Sequence, residues 1–229
     1  MTVSPIDPVK LEKLAEVAIK VGLQLQKDQD LVITAPLAAL PLVRFLTKHA
    51  YMAGGGLVTA FYSDEETTLA RYNHASDANF DRASGWLYEG MAKAYANGAA
   101  RLAISGDNPM LLADADPAKV ARANKANSTA YKPALEKISN FDINWNIISY
   151  PNPSWAKQVF PGIPEDEAVK KLADAIFAAS RVDLADPVAA WAEHNANLAK
   201  RSSWLNGERF ASLHFTGPGT DVTIGLADN

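Results

Sequence analysis

Four short apolar runs punctuate the chain, and longer segments of helical periodicity separate them. The runs are Leu31–Thr34, Leu57–Tyr62, Arg101–Ser105 and Asn144–Tyr150. Between them, apolar residues recur every three or four positions, the spacing of one helix face. A strand followed by a helix of ten or more residues and then another strand is a crossover unit. Repeated crossovers place strands side by side in the same direction. The pattern therefore predicts an α/β fold: a largely parallel sheet with helices on both faces.

Local signals bound the helices. Asp7 and Pro8 read as an N-cap and first helical residue, followed by Leu11, Leu14, Ala15, Ala18, Val21 and Leu25 on one face. A second helix spans about Leu37 to Ala53 and stops at Gly54-Gly55-Gly56. These glycines precede a strand, so they read as a helix stop and not as a phosphate loop. Ser63 and Glu66 have capping-box spacing, Phe80 to Asn97 reads as a helix closed by Gly98, and Asp116-Pro117 opens a long helix to about Ile138. A short helix is expected around Trp155. Another begins near Pro164, and a last one runs from Asp186-Pro187 to about Asn206, with Gly207 as its stop. Beyond it, Phe210–Thr216 and Asp221–Leu226 read as strands joined through Gly217-Pro218-Gly219, a closing β-hairpin. This hairpin is either an antiparallel edge or the start of a different domain. Its second strand runs directly into Ala227-Asp228-Asn229, which leads to the expectation that the chain is a fragment.

Composition excludes several function classes. With 48% apolar and 21% charged residues, the 229-residue chain can bury a core without covalent staples. It has no cysteine, which removes disulfides, zinc ribbons and thiol nucleophiles together. A net charge of −4 argues against a general nucleic-acid partner. No stretch is apolar enough to span a bilayer, and Met1-Thr2-Val3-Ser4-Pro5 lacks the features of a secretory signal. The expectation is a soluble, cytoplasmic protein without membrane partners.

Several segments together carry a resemblance. They are Thr34-Ala35-Pro36-Leu37; Ile104-Ser105-Gly106-Asp107-Asn108-Pro109 with Leu111-Leu112; Tyr150-Pro151 with Pro153 and Trp155-Ala156; and Phe160-Pro161-Gly162. Arg181-Val182-Asp183, Asp186-Pro187-Val188 with Trp191, His194, Leu198 and Arg201, and the run Leu213 to Asp221 complete the set. In this order and spacing the chain resembles the aminopeptidase T and aminopeptidase S family of two-metal aminopeptidases. The resemblance implies an exopeptidase acting on peptide N-termini, generally homodimeric, with two divalent cations (zinc or cobalt) in the intact enzyme. It also implies that the metal ligands lie in a C-terminal domain. Residues 1–208 are then expected to form an α/β N-terminal domain, and 209–229 a hairpin leading toward the metal-binding domain that this chain lacks. No metal ligand and no catalytic residue can be assigned to this chain, which is expected to be inactive alone.

The residues themselves agree with that expectation. The four histidines are His49, His74, His194 and His214, and none lies in an H-E-x-x-H pattern. No G-x-S-x-G elbow is present. The acidic triplets Asp64-Glu65-Glu66 and Glu165-Asp166-Glu167 open helices, where solvated carboxylates suit the helix dipole. Ligands of parallel sheets gather beyond the strand carboxyl ends. Here those ends bring Asp107 and Trp155 forward as cavity candidates, beside Thr34, Ser63, Asp64, Tyr150 and Asn152. Asp107 has a simpler reading as part of a strand-to-helix turn, and Trp155 as a domain-interface anchor. His194 shares a helix face with Trp191, Leu198 and Arg201, facing either a substrate cavity or nearby carboxylates. His214 shares a strand face with Phe210, Ser212 and Thr216, which lines a cavity or faces solvent. Two other readings stand beside the enzyme domain. One is a non-enzymatic α/β module binding a small anionic ligand at the strand ends, and the other is a structural dimerisation domain.

Overall fold

The computed structural model describes residues 4–227. Met1–Val3, Asp228 and Asn229, on which the readings of the two ends partly rest, lie outside them. The chain divides into two units, Met1–Pro187 and Val188–Asn229.

The first unit is built on four parallel strands: β1 (Leu31–Pro36), β2 (Val58–Ser63), β3 (Ala100–Ser105) and β4 (Trp145–Ser149). Their order across the sheet is β2-β1-β3-β4, so the chain reverses its direction of travel between β1 and β3. Leu31 pairs with both Val58 and Ala100, and Arg101 pairs with Trp145. Because the side chains of a strand alternate between faces, Leu31, Ile33 and Ala35 share one face and Val32 and Thr34 the other. Leu31, Ile33 and Leu102 are fully buried. Burial is nearly continuous along β1, which explains why it reads as an unbroken apolar run, whereas β2 and β4 are only partly covered.

Helices cover both faces. Helix α1 (Pro8–Val17) starts where Asp7 accepts hydrogen bonds from Val9 N (2.8 Å) and Lys10 N (3.3 Å). It continues as a wider turn over Ala18–Leu23 and ends at Gln24, in left-handed backbone (φ 51°). It packs on α2 (Leu40–Met52), and the Lys48 ammonium reaches the Glu12 carboxylate at 2.7 Å. On the opposite face, α4 (Gly85–Ala96) follows α3 (Glu65–His74) and packs on α5 (Pro117–Ser139). Met91 and Tyr95 of α4 and Ala134 and Ile138 of α5 form a core cluster with Val32. Helices α6 (Pro153–Val159) and α7 (Glu165–Ala179) pack together, and α7 also touches α1.

Several local expectations are revised. The cap of α3 is Asp64, not Ser63: the Asp64 carboxylate accepts from Thr67 N at 2.9 Å, and Glu66 is exposed. The segment predicted as one helix from Phe80 begins as a tight turn, Asp77–Asp81, and α4 starts only at Gly85. Phe80 is fully buried against Tyr72, with ring centroids 5.2 Å apart.

The second unit contains most of α8 (Pro187–Glu208) and the hairpin β5 (Ser212–Gly217) and β6 (Thr220–Gly225). Gly207 does not stop α8; the left-handed residue is Arg209 (φ 48°). The hairpin forms its own two-stranded antiparallel sheet, so it is not an edge of the parallel one. Pro218 and Gly219 (φ 75°) make its turn, the residue pattern of a type II turn. Leu213 pairs with Ile224 and Phe215 with Val222, which gathers four apolar side chains on one exposed face.

Candidate functional site at the strand ends

The direction change between β1 and β3 marks the place where an open parallel sheet leaves a crevice beyond its strand ends. Three loops meet near it: the β2-to-α3 junction, the turn after β3 and the β4-to-α6 junction. Their side chains form one hydrogen-bonded constellation.

Glu65 is its hub. One carboxylate oxygen, Oε1, accepts from the backbone N–H of Asn108 at 3.0 Å and from Asn152 Nδ2 at 2.9 Å. Asn152 is buried, and its own Oδ1 accepts from Ser154 N (2.7 Å) and Trp155 N (3.3 Å), capping α6. A single carboxylate thus ties the ends of β2, β3 and β4 together. Glu65 belongs to the triplet expected to be solvated, and the structure corrects that expectation: Glu65 braces two other loops and Asp64 caps α3, while Glu66 is exposed. The partners of Glu65 lie far away in sequence, so the only local signal was an acid placed directly after a strand.

Gly106 sets the approach of the β3 turn. Its φ is 138°, and a Cβ there would lie 2.0 Å from the Tyr150 carbonyl oxygen. Only glycine permits this contact between the ends of β3 and β4. It presents Asp107 beside Glu65. Partial burial, and then the Glu65 charge, push the Asp107 carboxyl above the usual carboxylate range. Tyr150, buried where β4 ends, is likewise pushed up by its burial.

Two of the four cavity candidates therefore lie on these loops: Asp107 on the β3 turn beside Glu65, and Trp155 in the first turn of α6, joined to Asn152 through its backbone N–H. The other two lie in the second unit. The His194 ring packs edge-on against Trp191, with centroids 5.4 Å apart. His214 Nε2 lies 2.6 Å from Asp221 Oδ1 across the hairpin.

Chemically, the constellation is a braced floor carrying one carboxyl group, that of Asp107, raised above the usual carboxylate range. Metal chemistry does not fit it. Among the described residues, no group of three or more His, Cys, Asp or Glu side chains could hold a metal ion. A bimetal centre needs several convergent ligands, whereas Glu65 already spends an oxygen on two structural donors.

Comparison with known proteins agrees with this architecture. The sequence model of the thermophilic metalloprotease (M29) family matches residues 8–229. Aminopeptidase T of Thermus thermophilus is 52% identical over 218 residues, a match covering 95% of this chain and 53% of that protein. Aminopeptidase 2 of Geobacillus stearothermophilus is 39% identical over 222 residues, again across 53% of its length. The solved structure of wild-type AmpT from Thermus thermophilus superposes with a TM-score of 0.89 at 50% identity, covering 95% of this chain and 53% of that one. This chain spans about half the length of the relatives it matches. With the match running through nearly every described element, the chain belongs to the thermophilic metalloprotease (M29) family.

Proposed function

We propose that this chain supplies the scaffold half of a metal-dependent aminopeptidase that releases N-terminal residues from peptides. In this reading it shapes a wall of the peptide cavity, with Asp107, Trp155, His194 and His214 as the contributing side chains, and provides contacts for a homodimer. Two divalent cations, zinc or cobalt, are held by residues outside this chain, and the enzyme works in the cytoplasm. The observation that carries the proposal is the 52% identity to an aminopeptidase over 218 residues that amount to 53% of that enzyme. The absence of a membrane-crossing helix among the described residues is compatible with it.

The test is hydrolysis of an aminoacyl chromogenic substrate with zinc or cobalt added. The 229-residue chain is expected to give no turnover above buffer. A longer polypeptide joining it to the second half of a close relative is expected to be active. Turnover by this chain alone would show that metal ligands reside within it.

A further inference from the structure

A second feature lies on the sheet face that α4 and α5 cover, away from the strand-end constellation. Arg101 stands on β3, between fully buried Ala100 and Leu102. Its side chain projects beneath the two helices into a cavity of about 300 Å³. Thr34 of β1, Tyr88 of α4 and Asn127, Ser128 and Tyr131 of α5 line that cavity with it. Arg101 is partly buried, with its Nε withdrawn from solvent, and a guanidinium so placed is normally paired with a carboxylate. No lining residue of this cavity is acidic. The strand neighbours of Arg101, Val32 and Trp145, offer no charge.

Arg101 Nε is buried and has no hydrogen-bond partner among the described residues. The hydroxyl of Tyr95, which is 2% exposed and belongs to the same packed cluster, makes no well-formed hydrogen bond either, although it lies near enough to Arg101 to feel the guanidinium charge. Burial pushes that phenol far up, so it remains a hydrogen-bond donor at any working pH. Buried donors without acceptors are rare in folded proteins, and each calls for a partner. A hydroxyl can be satisfied by water, but water leaves a guanidinium's charge uncompensated.

We propose that this cavity is a binding site for a small organic monocarboxylate, with Arg101 as its counter-ion and the rings of Tyr88 and Tyr131 as its walls. Three observations select that class. One partly buried cation matches one negative charge, and the planar fork of arginine matches a carboxylate in two parallel hydrogen bonds. The volume sits at the small end of organic-ligand pockets, well above that of a single ion or water. The walls are aromatic and apolar where Tyr88 and Met91 of α4 meet Tyr131 of α5, and carry amide and hydroxyl groups at Asn127 and Ser128, which suits a flat body with one polar end. The site is independent of the peptidase reading and stands or falls without it.

Calorimetric titration of the purified chain tests it, with benzoate, the uncharged benzamide and inorganic phosphate as probes. Benzoate is expected to bind saturably. Benzamide and phosphate are expected to bind at least about tenfold more weakly. Arg101→Met keeps the length of the side chain and removes its charge. It is expected to lower benzoate affinity at least about tenfold while thermal stability holds, because the apolar stem of this partly buried side chain is kept. Ser128→Trp, at an exposed position on the cavity rim, is expected to abolish benzoate binding with an unchanged circular dichroism spectrum. That variant decides the matter if Arg101→Met does not fold. Absence of saturable benzoate binding, benzamide binding as tightly as benzoate, or full affinity in either variant would overturn the site. Phosphate binding more tightly than benzoate would overturn its assignment to carboxylates.

Discussion

Glu65 and Asp107 are two neighbouring acids with opposite circumstances. Glu65 is supplied with hydrogen-bond donors from two other loops. Asp107 has its carboxyl raised above its ordinary 3.8 by burial and by the Glu65 charge. For a raised acid, the stabilising contribution is fully present below the unfolded pKa and is lost as pH rises through the folded value. Asp107→Asn removes that loss. The variant is therefore expected to gain on the parent protein between about pH 3 and pH 7, by less than about 1 kcal/mol at neutrality, given the group's partial exposure. Urea midpoints at the two pH values check this; a variant weaker than the parent at pH 7 would place Asp107 in a favourable ion pair instead. None of this was legible from residue types. Asp64-Glu65-Glu66 reads as a run of first-turn acids with Glu66 in capping-box spacing, and only partners 43 and 87 positions away single out Glu65.

At the scale of elements, legibility followed the range of the interaction. Asp7 and Asp116 were readable as caps because their hydrogen bonds close within three residues. Gly54 and Gly98, with φ of 82° and 87°, were readable as helix stops because glycine tolerates that backbone locally. Gly207 obeys the same local rule in sequence yet stays helical, since α8 passes over it and turns at Arg209. Gly106 carries a constraint that no local rule contains, the approach of the Tyr150 carbonyl. This separates two kinds of glycine. Gly98→Ala meets no neighbour within 4 Å and is expected to cost only about 1 kcal/mol, for backbone strain. Gly106→Ala adds a collision with backbone and is expected to cost about 3 kcal/mol or more. Chemical denaturation of both variants checks the contrast; equal losses would mean that the β3 turn yields freely.

For the molecule as a whole, the fold class and the order of strands and helices were visible in apolar periodicity, because that pattern reports burial directly. The lateral strand order was not, since β2-β1-β3-β4 depends on which crossover doubles back. The hairpin is the least self-sufficient part. Two strands alone are marginal in water, and Phe215, Val222 and Ile224 are each about half exposed on one face. Replacing Phe215 and Ile224 together by threonine, which keeps strand propensity, is expected to lower the fluorescence of a hydrophobic dye at least about twofold. Unchanged fluorescence would locate the sticky surface elsewhere.

The parallel sheet also bears on how the polypeptide matures as it is made. Leu31 must await Ala100 before the centre of the sheet can close. At ordinary elongation speeds, β1 leaves the ribosome between about 3 and 14 seconds ahead of that partner. Throughout that interval the nascent chain carries Leu31-Val32-Ile33 with one flank uncovered. A trigger for chaperone engagement thus follows from nothing more than the placing of a central strand first.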